Sequence, residues 1–330
     1  MREITYRDAV VEAQDEELAA DPTVFIMGED VGRMGGNFAT TRGLFAKYGP
    51  ERVRDTPISE DAIIGVALGA ALGGYRPVAE IMFSSFLGCG MDELANHVSQ
   101  IHYVSGGACL PRLTIRTVNV LGRSSGCHHS GRPEAWFMHL PGLVVVAPAT
   151  PYDVKAMLKY SIRSDDPVLF IEDGLLYGSA SGPVGGPDDV VPFGKARIAR
   201  AGSDVTLAAY SGAVRLAEAA SVALERVGIS AEVVDLRSLA PLDTDTVFGS
   251  VGRTRRLVVV EQDVKTAGVG AEIIARATDA LWDTLAAPPS RVAAADTPVP
   301  FSPALEEAIM PTASAVVQAV LRQMDRGKRL

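Results

Sequence analysis

The sequence predicts an α/β protein of two domains, each a mainly parallel sheet flanked by helices. Three observations carry that prediction. First, short continuous apolar runs without polar alternation recur between helical stretches, the mark of strands buried on both faces of a sheet. They are VFIM (24–27), PVAEIMF (77–83), LTI (113–115), LVVVA (143–147) and VLFI (168–171). Second, the alternation lapses once, over GLLYGSASGPVGGPDDVVPFGK (174–195), whose Gly, Pro and Ser content suits a connection between domains. Third, it then resumes through VTLAAY (205–210), AEVVDL (231–236) and LVVVE (257–261). A chain of 330 residues is long enough for two cores. The expected boundaries are a first domain over 1–173, a linker over 174–195 and a second domain over 196–330.

The helices follow from pattern and caps. Thr5 with Asp8 three residues on makes a box-like cap, and Tyr6, Ala9, Val10 and Ala13 supply an apolar stripe behind it. The run AIIGVALGAALGG (62–74) is apolar but short of the roughly 20 residues that span a bilayer. Its Gly65, Gly69 and Gly73 fall every fourth residue on one helical face, so the segment reads as a buried contact helix approached closely by another. In the second domain, helices are expected over AVRLAEAASVALERVG, near Thr244–Val251 and after GVGAE (268–272). The glycines of GVGAE lack the full phosphate-loop spacing and read as tight packing at a helix start.

Composition excludes several functions. The chain is 47% hydrophobic and 22% charged, which is globular material, and its net charge of −9 holds no basic run for nucleic acid. No segment is read as crossing a membrane. Three cysteines without a C-x-x-C pair suit a reducing compartment, and the polar, acidic N-terminus shows no secretory core; the expected location is cytoplasmic.

The candidate chemistry lies at strand ends, where ligands of parallel sheets collect: GED (28–30), SSF (84–86) and ED (172–173). The stretch GCHHSGRPEAWF (126–137) holds Cys127, His128 and His129, with His139 two residues beyond it. Adjacent ligands rarely complete one tetrahedral site, and zinc spacings are absent, so a metal is not expected there. A single loop histidine free to meet a ligand is the better functional reading. Glu60, in DTPISEDAIIG, opens the glycine-faced helix. A carboxylate there ordinarily serves the helix dipole, but an apolar neighbourhood also suits acid/base work. Phe86 lies where a buried strand gives way to a helix, and a flat ring there packs a core or stacks on a heterocycle.

FIMGEDV, GGNF, RGLFAKYG, RVRDTPISE, GYRPVAEIMF, YVSGG, HSGRPEAWF, PGLVVVAPATPYDVK and DDPVLFIED occur in this order. Together they closely resemble the beta subunit of thiamine diphosphate-dependent 2-oxoacid dehydrogenases, of the transketolase superfamily. The resemblance runs from about Arg2 to the C-terminal helix. It implies a pyrimidine-binding domain followed by a transketolase C-terminal-like domain. The reaction it implies is oxidative decarboxylation of a 2-oxoacid, or acetoin cleavage, with reductive acylation of a lipoyl group. By position, Glu60 matches the glutamate on the cofactor's aminopyrimidine, Phe86 the ring stacked on it, Met82 a neighbour in that pocket and His129 the active-site histidine. His128 matches no family role.

The family's diphosphate–magnesium signature, G-D-G followed by N-N, is missing. EDG (172–174) is the nearest string. The resemblance therefore implies that an alpha subunit brings the diphosphate and Mg²⁺ ligands within an α2β2 heterotetramer. The glycine face at 65, 69 and 73 would meet a second beta subunit, and the C-terminal domain would dock a lipoyl acyltransferase core. Some relatives also bind K⁺ through backbone carbonyls at positions matching Leu113, Ser161, Ile162, Ser164 and Asp166. One departure touches the site: many relatives have glutamine where this chain has Gly131. Two rival readings share the fold, the C-terminal subunit of a split transketolase and a non-catalytic scaffold.

Overall fold

The computed structural model describes residues 2–326. They form two compact units: one holds the chain up to Val120 and His128–Phe193, the other Leu121–Cys127 and the chain from Gly194 onward.

In the first unit six strands lie in the order Val144–Val146, Val168–Asp173, Thr114–Asn119, Arg76–Ile81, Val24–Gly28, Val53–Asp55. Every neighbouring pair is parallel. Strands Val24–Gly28, Thr114–Asn119 and Val168–Asp173 are buried along their whole length, and the first and last of them carry the apolar runs VFIM and VLFI. The first helix, Tyr6–Ala20, starts as its sequence reads: the Thr5 side chain accepts the Asp8 N–H, and Tyr6, Ala9, Val10 and Ala13 are buried.

Three expectations change. The helix Glu60–Leu72 buries Ile63, Ile64, Ala67, Leu68 and Ala71. Its Gly69 and Gly73 lie on the opposite, exposed side. A Cβ at Gly69 would meet nothing within 4 Å, whereas one at Gly65 would lie 3.2 Å from a Glu93 carboxylate oxygen. Within this single chain the glycine face is therefore not the buried one. After strand Arg76–Ile81, Phe86 sits in a 3-10 turn, Ser84–Gly88, instead of opening an α-helix. The Gly/Pro/Ser-rich stretch 174–195 is mostly ordered within the first unit. It forms a short helix, Leu176–Ser179, and a strand, Ser181–Val184, antiparallel to Arg2–Thr5. The ammonium groups of Lys155 and Lys159 bind the carbonyls of Gly185, Gly186 and Pro187, tying the stretch to helix Pro151–Arg163.

The sheet also holds a buried charge cluster. Arg116, on the strand Thr114–Asn119, meets Glu80 at 2.6 Å and Glu172 at 2.7 Å, all three buried. Burial lowers the guanidinium's pKa, but Glu172 and Glu80 outweigh it and the net shift is upward. Glu172 also accepts from the Tyr177 hydroxyl, and Asp173 pairs with Arg132. The acids of the third strand end are thus held by ion pairs and a hydrogen bond within the unit.

In the second unit the order is Ser290–Ala294, Leu257–Val264, Val205–Ala209, Ala231–Asp235, Arg197–Arg200. The last strand alone in this sheet runs antiparallel to its neighbour. Helices Ala213–Glu225, Thr244–Thr254 and Val269–Leu281 fall where the pattern puts them. Gly270 is packing glycine: its N–H donates to Glu261, and a Cβ there would come within 2.5 Å of that carboxylate. The buried Glu306 accepts the N–H groups of Gly122 and Ser124, both at 2.7 Å. Residues Pro303–Asp325 are long and apolar enough to cross a membrane by composition. The chain there forms two helices, Pro303–Ile309 and Ala313–Arg326, and the second buries Val316, Ala319 and Val320. The second is also shorter than a bilayer-spanning helix.

Candidate active site

Glu60 begins its helix directly after Ser59, half-buried among the first-turn N–H groups that favour an anion. What brings the 3-10 turn to it is Gly90. A Cβ at that residue would lie 2.5 Å from the Ile64 side chain and 3.4 Å from the Glu60 carbonyl, so the segment after Phe86 rests on the first turn of the Glu60 helix. Met82 and Phe86, both half-buried, lie just beyond the end of strand Arg76–Ile81, Phe86 within the turn itself.

His129 completes the group. Its ring lies 4.7 Å from Phe83, edge-on, and 5.4 Å from Phe86. Phe83 and Phe86 themselves meet edge-on at 5.3 Å, an arrangement that fixes an imidazole beside a flat apolar face. His128 and His139 are exposed. Among the described residues no group of three or more His, Cys, Asp or Glu could hold a metal ion.

Several residues of the site were not found by sequence reasoning. Glu29 follows strand Val24–Gly28; burial, then the charges of Glu60 and Asp30, hold its carboxyl above the ordinary value. Two carboxylates therefore adjoin at the helix start. Ser84 and Ser85 reach the loop of His129: Ser84 Oγ lies 2.7 Å from the Gly131 carbonyl, and Ser85 Oγ accepts the Gly131 N–H at 2.9 Å. Asn119 donates to Glu134 at 2.7 Å, and burial raises the Glu134 carboxyl against the opposing charge of Arg132. The second oxygen of Glu134 and the hydroxyl of Ser130 are buried without a hydrogen-bond partner. The strand-end positions of Glu29, in GED, and of Ser84 and Ser85, in SSF, were the signals that pointed to any of these.

The residues matched to a K⁺ site gather at the C-terminal end of helix Pro151–Arg163, where carbonyls favour a cation. Arg76 supplies one. Its guanidinium donates to the carbonyls of Ile162 and Ser164 at 3.1 and 2.7 Å, while the Leu113 and Ser161 carbonyls accept from Val168 and Ser164 N–H groups.

The first unit matches the family model described as transketolase, pyrimidine binding domain, over residues 2–179. Residues 194–316 match transketolase, C-terminal domain. A pyruvate dehydrogenase E1 component subunit beta-2 of Oryza sativa subsp. japonica is 42% identical, over 97% of this chain and 86% of that protein. The chain belongs to the 2-oxoacid dehydrogenase E1 beta-subunit family. A pyruvate dehydrogenase E1 beta subunit of Caenorhabditis elegans is also 42% identical, over 98% of this chain and 93% of its own length. Both relatives are named as mitochondrial. Among solved structures, an inactive β4 tetramer of a split-gene transketolase superposes with a TM-score of 0.82 at 26% identity, covering 98% of this chain and 99% of its own. The split-transketolase reading thus has structural likeness but the weaker sequence identity.

Proposed function

We propose that this E1 beta-family chain forms half of a thiamine diphosphate site for oxidative decarboxylation of a 2-oxoacid, with transfer of the acyl group to a lipoyl arm. The observation that carries the reading is the seating of Phe86 and His129 beside the Glu60 helix start through Gly90. A carboxylate, a thioether and a flat ring suit an aminopyrimidine: one to hydrogen-bond a ring nitrogen, two to take its faces. When bound, thiamine diphosphate supplies the carbon nucleophile that cleaves the 2-oxoacid. In this chain Glu60 holds or shares a proton at the pyrimidine nitrogen, Met82 and Phe86 position the ring, and His129 serves the later acyl transfer. Pyruvate is the substrate named for the relatives, and it is the 2-oxoacid we propose first.

The diphosphate and Mg²⁺ ligands are assigned to an alpha subunit, and the C-terminal unit to docking of an acyltransferase core. K⁺ enters the proposal through the sequence resemblance, and it would share carbonyls with Arg76. The three cysteines, none of them in a disulfide, suit a reducing compartment, which we take to be the cytoplasm. Calorimetric titration of the purified chain with thiamine diphosphate and Mg²⁺ tests the half-site: binding should be weak alone and become tight with an alpha partner. Tight binding or turnover by this chain alone would overturn it.

Two substitutions probe particular residues. Gly69→Leu should leave the chain folded, since space is open there, yet block pairing of beta subunits through the exposed glycine face; the sedimentation of the reconstituted complex reads this. His129→Ala should cut lipoyl acylation by about a hundredfold and dye-coupled decarboxylation much less, while His128→Ala should change neither by more than about twofold. A severe His128 phenotype beside a silent His129 would reverse the assignment.

A further inference from the structure

We propose that Ser85 and Gly131 form a latch that sets His129 against the rings of Phe86 and Phe83, making Ser85 a positioning residue for acyl transfer; the functional half of this rests on the role given to His129 above. The turn that carries Phe86 and the loop that carries His129 are joined at one residue by two hydrogen bonds. The Gly131 N–H donates to Ser85 Oγ at 2.9 Å, and the Gly131 carbonyl lies 2.7 Å from Ser84 Oγ. Ser85 precedes Phe86, and Gly131 follows His129 by two residues, so the pair sits at the root of both rings. Holding both ends of one residue removes the rotations by which the loop could carry the imidazole away.

Glycine at 131 is not there for its backbone, which is not in the left-handed region. It is there for space: a Cβ would lie 2.8 Å from Ser85 Oγ but 3.7 Å from Ser85 Cβ. The serine hydroxyl and the missing side chain are therefore one feature. A residue with a Cβ at 131 requires Ser85 to turn away, and that breaks the bond to the Gly131 N–H. The latch is also anchored below. Ser84, fully buried, contacts Asn119 Oδ1 as well, and Asn119 in turn donates to the buried Glu134. Gly131, which the sequence leaves as a lost polar group, here takes part in a fastening.

The test uses Ser85→Ala, Gly131→Ala and the double variant in the complex reconstituted with an alpha subunit. Two readouts are taken. One is the rate at which diethyl pyrocarbonate modifies His129, measured by mass spectrometry against the adjacent, exposed His128. The other is lipoyl acylation compared with dye-coupled decarboxylation. Each single variant should change the His129 rate several-fold relative to His128 and lower acylation about tenfold, with decarboxylation falling less. The double variant should be no worse than Ser85→Ala, because with the hydroxyl gone the new Cβ meets only an ordinary contact. Unchanged His129 reactivity in both single variants, or fully additive losses in the double, would overturn the latch. Altered His129 reactivity with normal acylation would keep the latch and instead remove His129 from the transfer step.

Discussion

Glu60→Gln will give a folded, assembling chain whose complex loses about 10²–10⁴-fold of its activity, the range that a positioned acid/base group contributes. The amide keeps the size and the place at the helix start, so packing on Ile64 and Gly90 is preserved. What it cannot do is exchange a proton with a pyrimidine nitrogen. The step to measure is exchange of the thiazolium proton of bound cofactor, which should slow along with turnover. A second readout is independent of activity. Glu60 is one of the charges holding the Glu29 carboxyl above its ordinary value, so removing it should bring the Glu29 titration downward. Wild-type exchange in the variant complex would remove Glu60 from this role. An unmoved Glu29 would instead separate the two carboxylates that the structure places together.

Arg116→Met will have the largest effect on stability. The guanidinium is fully buried between Glu80 and Glu172, and removing it leaves two carboxylates in the sheet without their cation. Breaking a buried ion pair in this way costs about 3–5 kcal/mol, a large share of the stability of an ordinary domain. The deficit depends on pH. Burial already raises the Glu172 carboxyl above its ordinary value, with Arg116 opposing it, so loss of Arg116 raises it further. A carboxyl whose folded pKa lies above its unfolded one penalises the fold above the unfolded pKa, and the penalty disappears as pH falls below it. Chemical denaturation should therefore show a smaller gap between variant and wild type near pH 5 than near pH 8. A constant gap would mean that the charge cluster is not the source of the loss.

Legibility in the sequence followed the physics of each element. The apolar runs were legible because most positions of a strand buried on both faces are apolar, the exceptions here being paired charges such as Arg116, Glu80 and Glu172. Val53–Asp55, Arg2–Thr5 and Ser181–Val184 were not, because strands of three or four residues, partly exposed, carry no such run. The order within 174–195 was hidden for a related reason. Gly, Pro and Ser describe irregular backbone but not whether buried lysines hold it in place. In the site, Glu60, Met82, Phe86 and His129 were picked out because motif order carries them. Glu29, Ser84 and Ser85 lay at strand ends and Glu134 in a quoted motif, but the contacts by which these and Asn119 act join residues distant in sequence, and no local pattern announces those contacts. The glycine face showed the opposite limit: periodicity identified a face suited to close approach, yet could not say that this face is exposed in the single chain.

The fastened stretch before Gly194 changes how the gene could be divided. Lys155 and Lys159 hold its start, the Val191 N–H meets the Ala156 carbonyl, and Phe193 stacks edge-on with Tyr160 at 4.8 Å. A stretch fixed at so many points has none of the reach of a flexible tether. Proteases that favour loose, glycine-rich segments should spare it in the native protein despite its composition. For anyone expressing the two halves as separate polypeptides, the later boundary of the first unit is the bond between Phe193 and Gly194, while Leu121–Cys127 stays with the second unit. A cut at residue 174, where the composition first changes, would strip the first half of an edge strand and leave two buried ammonium groups without their carbonyls.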